Sequence, residues 1–252
     1  MKLNARGLKI RKNILKAGIV LTIFIVFFGV IKQTGYVIDG VYIIKGGELH
    51  IESALPNSDV FIDSKKVGRT DAEGVAAYKG LHLGVRGVVV ATNDTWPWIM
   101  EFESISGEVS TLLPLQVTKK TSMSTLEADN ELSDVAKKEF FAYREPSRIN
   151  PLERVDTKVW IEGTRILTQN GEEVRTIFSS VDEIKNILWF GDRNDAVIVT
   201  VAEMVFVLDL RESEVQNFFP IFVGESPQVA KDQVRSRNVF IYDDGKYFHV
   251  DI

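Results

Sequence analysis

The chain has 252 residues, 45% of them hydrophobic, no cysteine and a formal net charge of −5. The lack of thiols excludes a disulfide framework, thiolate chemistry and any Cys-ligated metal. The charge is uneven, +6 over residues 1–40 and −11 over the remainder, so the acidic main body is a poor partner for nucleic acid or anionic lipid.

Residues Ile14 to Ile31 form the first element, an apolar run of 18 residues. As a helix it reaches about 27 Å, close to the thickness of a bilayer's hydrocarbon core. Lys2, Arg6, Lys9, Arg11, Lys12 and Lys16 precede or edge it, and no acid appears before Asp39. Backbone groups in lipid must pair internally, which predicts a helix, with Lys16 and Lys32 snorkelling to the two interfaces. The expectation is a basic cytoplasmic tail over 1–13, a single-pass transmembrane anchor over 14–34 that contacts the lipid bilayer, and a stem over 35–46. By the positive-inside rule the N-terminus stays in the cytoplasm and the ectodomain lies outside the cytoplasmic (inner) membrane. The tail needs only inner-leaflet headgroups as its counterpart. A cleaved signal peptide is the rival, but no small-x-small pair follows the run at the expected distance. The one-sided basic flank speaks against a buried core helix.

Short β-branched and aromatic runs follow over 47–117: Val60-Phe61-Ile62, Val88-Val89-Val90 and Trp98-Ile99-Met100-Glu101-Phe102. Asn57-Ser58, Gly68, Gly74, Gly80 and Asn93-Asp94 punctuate them, and seven or so short strands predict a small β-sandwich. Residues 118–152 are polar and predict an interdomain linker or, equally, a helix packed on the following sheet, with the one helix around Leu132 to Tyr143. Ser133 would start that helix, with Val135, Ala136, Phe140 and Phe141 on one side.

Hairpins return over 153–252, with tight-turn signatures at Glu162-Gly163, Asn170-Gly171 and Asp243-Asp244-Gly245. A repeat is visible there. Ala196 through Leu210 aligns without gaps to Asn238 through Ile252 at an offset of 42, and Glu183 and Ile187 fall opposite Glu225 and Val229. Val159 through Leu167 looks like an earlier copy. A period of 40–45 residues with several strands per unit is the signature of propeller blades. Two units and part of a third fall short of the roughly four blades a closed ring needs. The region is therefore expected to be an incomplete propeller, an open β-layer, or a set of blades that partner chains complete. An open edge there would favour self-association.

Residues from Gly47 to about Glu103 resemble the PEGA domain, a small β-sandwich module of bacterial and archaeal surface proteins. The resemblance rests on Pro56-Asn57-Ser58, Val60-Phe61-Ile62-Asp63-Ser64, Gly68-Arg69-Thr70-Asp71 and Gly80-Leu81-His82. The chain departs from the family at its eponymous motif and lacks a proline after Thr70; Asn57 replaces a turn glycine because Asn visits positive φ readily. With the N-terminal run and the later repeats, which are similar to WD40-like propeller blades, the layout resembles membrane-anchored PEGA proteins. That resemblance implies a binding or scaffolding role in the cell envelope.

The candidate contact residues for an envelope glycan or partner protein are Trp96, Trp98, Tyr78 and Asn93. Aromatic faces stack on sugar rings and the amide adds hydrogen bonds, although tryptophans at alternate strand positions equally suit a core. His50, His82 and His249 lack the spacing of a metal site. Asp192, Asp195, Asp243 and Asp244 fall at expected turns. Phe218-Phe219-Pro220-Ile221-Phe222 suits a buried strand or an exposed partner patch. No nucleophile, phosphate-loop or zinc-protease motif is present, so the expectation is a mainly β, membrane-anchored binding protein that is not an enzyme and needs no cofactor. The alternative is a hydrolase or lyase acting on envelope polysaccharide through blade-loop carboxylates.

Overall fold

The structure, a computed structural model, describes residues 5–127 and 130–252, with side chains from Ile14 onward except Lys32. The basic side chains from Lys2 to Lys12, and the snorkelling expected of Lys32, lie outside the described residues. The chain is mainly β with one long N-terminal apolar helix, and its strands form several small sheets, none of which closes on itself. It divides into two compact units. The first holds Met1–Asn57, Arg69–Gly87 and Glu101–Leu113, and the second holds Ser58–Gly68, Val88–Met100 and Pro114–Ile252.

The first unit begins with helix α1 (Ala5–Gln33). Its window Ile14–Ile31 is long and apolar enough to cross a membrane, and none of that window is buried. A core helix would be covered by protein, so that reading of the run is excluded. The single hydroxyl within the run is satisfied, since Thr22 donates to the Gly18 carbonyl at 2.9 Å; an unpaired hydroxyl would be costly in lipid. Thr34 continues the helical bonding onto Val30 at 2.9 Å, and Gly35 leaves the helix at φ +80.

The expected stem is a β-hairpin. Strand β1 (Tyr36–Asp39) pairs antiparallel with β2 (Tyr42–Lys45), and Gly40 takes a positive φ in the turn. Asp39-Gly40 between β-branched and aromatic residues is the local signal for this hairpin, which the expected stem did not include. The Gly46 N–H donates to the Gly35 carbonyl at 2.9 Å and closes the hairpin base directly at the helix end.

Seven strands follow: β3 (Gly47–Ile51), β4 (Asp59–Ile62), β5 (Lys65–Arg69), β6 (Ala76–Leu81), β7 (Gly84–Ala91), β8 (Trp98–Ser104) and β9 (Val109–Leu112). In the first unit β3 is central, antiparallel to β6 and parallel to β9, and its alternation buries Leu49 and Ile51. The other sheet runs β5-β4-β7-β8, and both β7 and β8 pass from one unit to the other. The turn chemistry is local. Asn57 adopts φ +59, and Asp63 and Ser64 take φ +49 and +66 between β4 and β5. The Asp71 carboxylate accepts the N–H groups of Glu73 and Val75 at 3.1 and 2.7 Å.

The second unit contains three further four-stranded antiparallel sheets. One is β11 (Leu152–Arg154), β12 (Thr157–Glu162), β13 (Arg165–Asn170) and β14 (Glu173–Ser179); the next is β15 (Ile184–Trp189), β16 (Ala196–Val201), β17 (Met204–Asp209) and β18 (Phe218–Val223). The last comprises β19 (Gln228–Lys231), β20 (Asn238–Asp243) and β21 (Lys246–Asp251), with β10 (Ser122–Leu126) as its fourth strand, paired to β21. Strand boundaries follow the sequence repeat, since β16 and β17 become β20 and β21 on adding 42 to every residue number. Strand β21 is flanked on both sides, by β20 and β10. Apolar side chains of the first two sheets share one core, including Val159, Ile166, Ile187, Val199 and Leu208. In β18 alternation buries Phe219 and Ile221 and leaves Phe218 exposed, with Pro220 tolerated because the strand lies at a sheet edge.

Helix α2 (Glu131–Ala142) lies within the segment expected to be a linker, but Ser133 does not start it. Asn130 is the N-cap, its side chain accepting the Leu132 N–H at 2.9 Å. The buried face holds Ser133 and Ala136 with Phe140 partly covered, whereas Phe141 is 84% exposed. Positions 133, 136 and 140 share one face by the 3.6-residue period, and Phe141 falls off it. That stripe packs with Leu126, Ala230 and Phe240 of the last sheet.

Candidate functional site

Within the second unit the end of β17 turns outward at Asp209-Leu210-Arg211, where residues i and i+2 share a face. Asp209 is 1% exposed, and its carboxylate is fully engaged. One oxygen accepts the Arg211 backbone N–H at 3.1 Å and its Nε at 2.8 Å; the other accepts an Arg211 guanidinium nitrogen at 2.6 Å and Trp98 Nε1 at 2.9 Å. The Arg211 guanidinium also lies 5.0 Å from the Trp98 ring centroid, a cation–π contact. Asn217 completes the clamp, accepting the Ile99 N–H at 3.1 Å and donating to the Ile99 carbonyl at 2.6 Å. The Trp98-Ile99 stretch is therefore held by side chains in the manner of a strand partner.

Beside this clamp lies a polar cleft of about 410 Å³ formed by the β12–β14 sheet and the turns that flank β16 and β17. Thr157, Thr168, Asn170, Asn194, Arg175 and Arg211 give it hydroxyl, amide and guanidinium donors, and Glu173, Asp195 and Glu212 give it acceptors. Asp195 binds Arg193 through two bonds of 2.7 Å and lies 3.5 Å from Arg211. Burial would raise the Asp195 carboxyl, but the hydrogen bond from Arg193 and the charges of Arg211 and Arg193 outweigh it and hold it below the ordinary carboxylate range. The Arg175 hydrogen bonds at 2.7 Å likewise lower Glu173, and Arg175 also pairs with Glu212. Carboxylates so held are ionised acceptors at neutral pH.

The sequence-predicted contact residues are dispersed. Trp98 is wholly buried, its N–H spent on Asp209, so as a contact residue it is corrected to a core residue. Alternation along β8 puts it on the covered face. Trp96 is half-buried, with an indole nitrogen that is buried without a hydrogen-bond partner, and Asn93 is exposed. Tyr78 lies on β6 in the other unit, where burial raises its phenol.

Among the other singled-out residues, His249 lies 2.9 Å from Asp232, and Asp243 is buried and accepts the N–H groups of Glu225 and Ser226 at 3.2 and 2.7 Å. Among the described residues no group of three or more His, Asp or Glu side chains is placed to hold a metal ion. The functional residues missed in the sequence are Arg193, Asp209, Arg211 and Asn217. Their only signal was the mirrored Arg-x-Asp and Asp-x-Arg spacing at 193–195 and 209–211.

Comparison of the chain with protein-family models finds no match, and comparison with curated proteins finds no relative.

Proposed function

We propose that the chain is a single-pass, N-in membrane protein of a bacterial envelope whose β-rich ectodomain binds envelope components and does no chemistry of its own. The observation that carries this reading is the apolar helix Ile14–Ile31, entirely uncovered by protein and continuous with a body of small β-sheets. A PEGA-like module over 47–117 is supported by its seven strands and by the positive φ of Asn57 at the motif turn. A propeller-like arrangement over 153–252 is supported by three consecutive four-stranded sheets, by the 42-residue correspondence of strands, and by the adjacency of β12 to β15 and β15 to β19.

The polar cleft is the binding seat in this reading. Its formal lining charge is near balance, and Thr157, Asn170 and Asn194 add a hydroxyl and two amides to the lining, which suits a neutral polyhydroxyl segment such as an envelope glycan better than a phosphate or an acyl chain. The ionised, arginine-bound state of Asp195 and Glu173 argues against a polysaccharide hydrolase that would use either as its general acid. The test is retention of the detergent-solubilised full chain on immobilised envelope polysaccharide. Asn170→Ala with Asn194→Ala, both exposed at the cleft, is expected to lower retention about tenfold or more, the effect of losing two hydrogen bonds to ligand. Undiminished retention in a folded variant would remove the cleft from the proposal.

A further inference from the structure

We propose that the β1–β2 hairpin is a membrane-interface element, lying in the headgroup and upper acyl region of the bilayer that α1 crosses. The inference rests on the membrane-anchor reading of α1 and adds a second, non-helical lipid contact.

A two-stranded hairpin facing water is expected to carry polar residues outward. Here the register places Tyr36, Ile38, Ile43 and Lys45 on one face, and Tyr36, Ile38 and Ile43 are 42%, 44% and 49% exposed. The opposite face sends Val37 inward, and at the tip Val41 and Tyr42 are 89% and 71% exposed. Asp39 is the single acid in the hairpin. An exposed surface of tyrosine, isoleucine and valine with one lysine at its base matches the composition of membrane–water interfaces. There phenols reach the headgroups and an ammonium snorkels.

The occupant is set by geometry. Only Thr34 and Gly35 separate the end of α1 from β1, a reach of about 7 Å, comparable to the headgroup layer on one side of a bilayer. The Gly46-to-Gly35 hydrogen bond keeps the hairpin base at that point, and α1 contacts β1. Four-residue strands then extend about 13 Å, so the hairpin lies within reach of the interface whether it tilts or lies flat.

The absence of cysteine makes single nitroxide labels clean reporters. The full chain carrying Val41→Cys, Tyr42→Cys, Ile23→Cys or Val181→Cys would be labelled and reconstituted in vesicles of phosphatidylcholine with phosphatidylglycerol. Its accessibility to oxygen and to a water-soluble nickel chelate would then be compared. Val41 and Val181 are almost fully exposed at 89% and 98%, so neither substitution removes packing. The expected result is a shift from nickel-favouring accessibility at Val181 towards oxygen-favouring at Val41 and Tyr42, with Ile23 the most oxygen-favouring. Labels at 41 and 42 as nickel-accessible as at 181, with Ile23 still oxygen-favouring, would overturn the hairpin proposal alone. A nickel-accessible Ile23 would overturn the anchor reading, and this inference with it.

Discussion

The carboxylate of Asp209 takes four donors, from Trp98 and three Arg211 groups, while its residue is 1% exposed. Asp209→Ala strands the buried Trp98 indole N–H and leaves the Arg211 guanidinium with its longer Asp195 contact in place of its closest carboxylate. The expected cost is about 3 kcal/mol, read as a lower urea midpoint of the full chain in detergent. Asp195 makes a separate prediction. Its folded pKa lies below the unfolded value of about 3.9. The stabilisation it contributes is therefore present above about pH 4 and is lost as pH falls through the lower folded value. Asp195→Asn should flatten the acid limb of the stability–pH curve below about pH 4; unchanged steepness relative to the parent chain would show that the pair contributes nothing. The turn position of Asp195 was legible from neighbouring Gly, Asn and Asp. Its Arg partners were not, because arginines two residues from a carboxylate are as common on solvated surfaces as in clamps.

At the scale of elements, the clearest strands were those with β-branched runs and tight-turn signals, and the 42-residue offset marked β16/β20 and β17/β21 before any coordinates. Strand β10 was hidden. Ser122-Met123-Ser124-Thr125-Leu126 is polar and four of its five side chains are exposed, so nothing local distinguishes it from a linker. It is a strand because β21 offers it a ladder. Alternate N–H groups of this edge strand point at β21, so of Ser124→Pro and Thr125→Pro one deletes a ladder donor and the other does not. The damaging substitution should cost about 1–3 kcal/mol and speed amide exchange in β21. Equal effects of the two would contradict the pairing. Helix α2 differs: its existence was readable from periodicity, but which of its apolar side chains is covered, Ala136 and Phe140 rather than Phe141, depends on the sheet it packs against.

For the whole molecule, the proposed membrane attachment rests on one helix long and apolar enough to span a bilayer, with no covering protein. Thr22→Lys together with Ile23→Lys places two ammonium groups at the centre of the run, each costing about 2.5–3.5 kcal/mol in a bilayer. The chain is then expected to leave the carbonate-washed membrane pellet, whereas the parent stays. Protease added to spheroplasts, which expose the outer face of the cytoplasmic membrane, should digest the body of the parent chain. A protected body would reverse the proposed N-in orientation.

Sequence alone determined the features that depend on composition along a short stretch. These are the uncovered apolar helix, the charge split across residue 40, the positive-φ turns and the repeat register. Each is set by local chemistry or by hydropathy integrated over one element. Tertiary structure decided what depends on partners distant in the chain: that β10 belongs to the last sheet, that Trp98 is spent on Asp209 rather than offered to a ligand, and that the arginines and carboxylates of β14 and of the turns flanking β16 and β17 converge on one cleft. The physical reason is that hydrogen-bond partners 111 residues apart leave no periodicity in the sequence; only the folded sheets bring them within 3 Å.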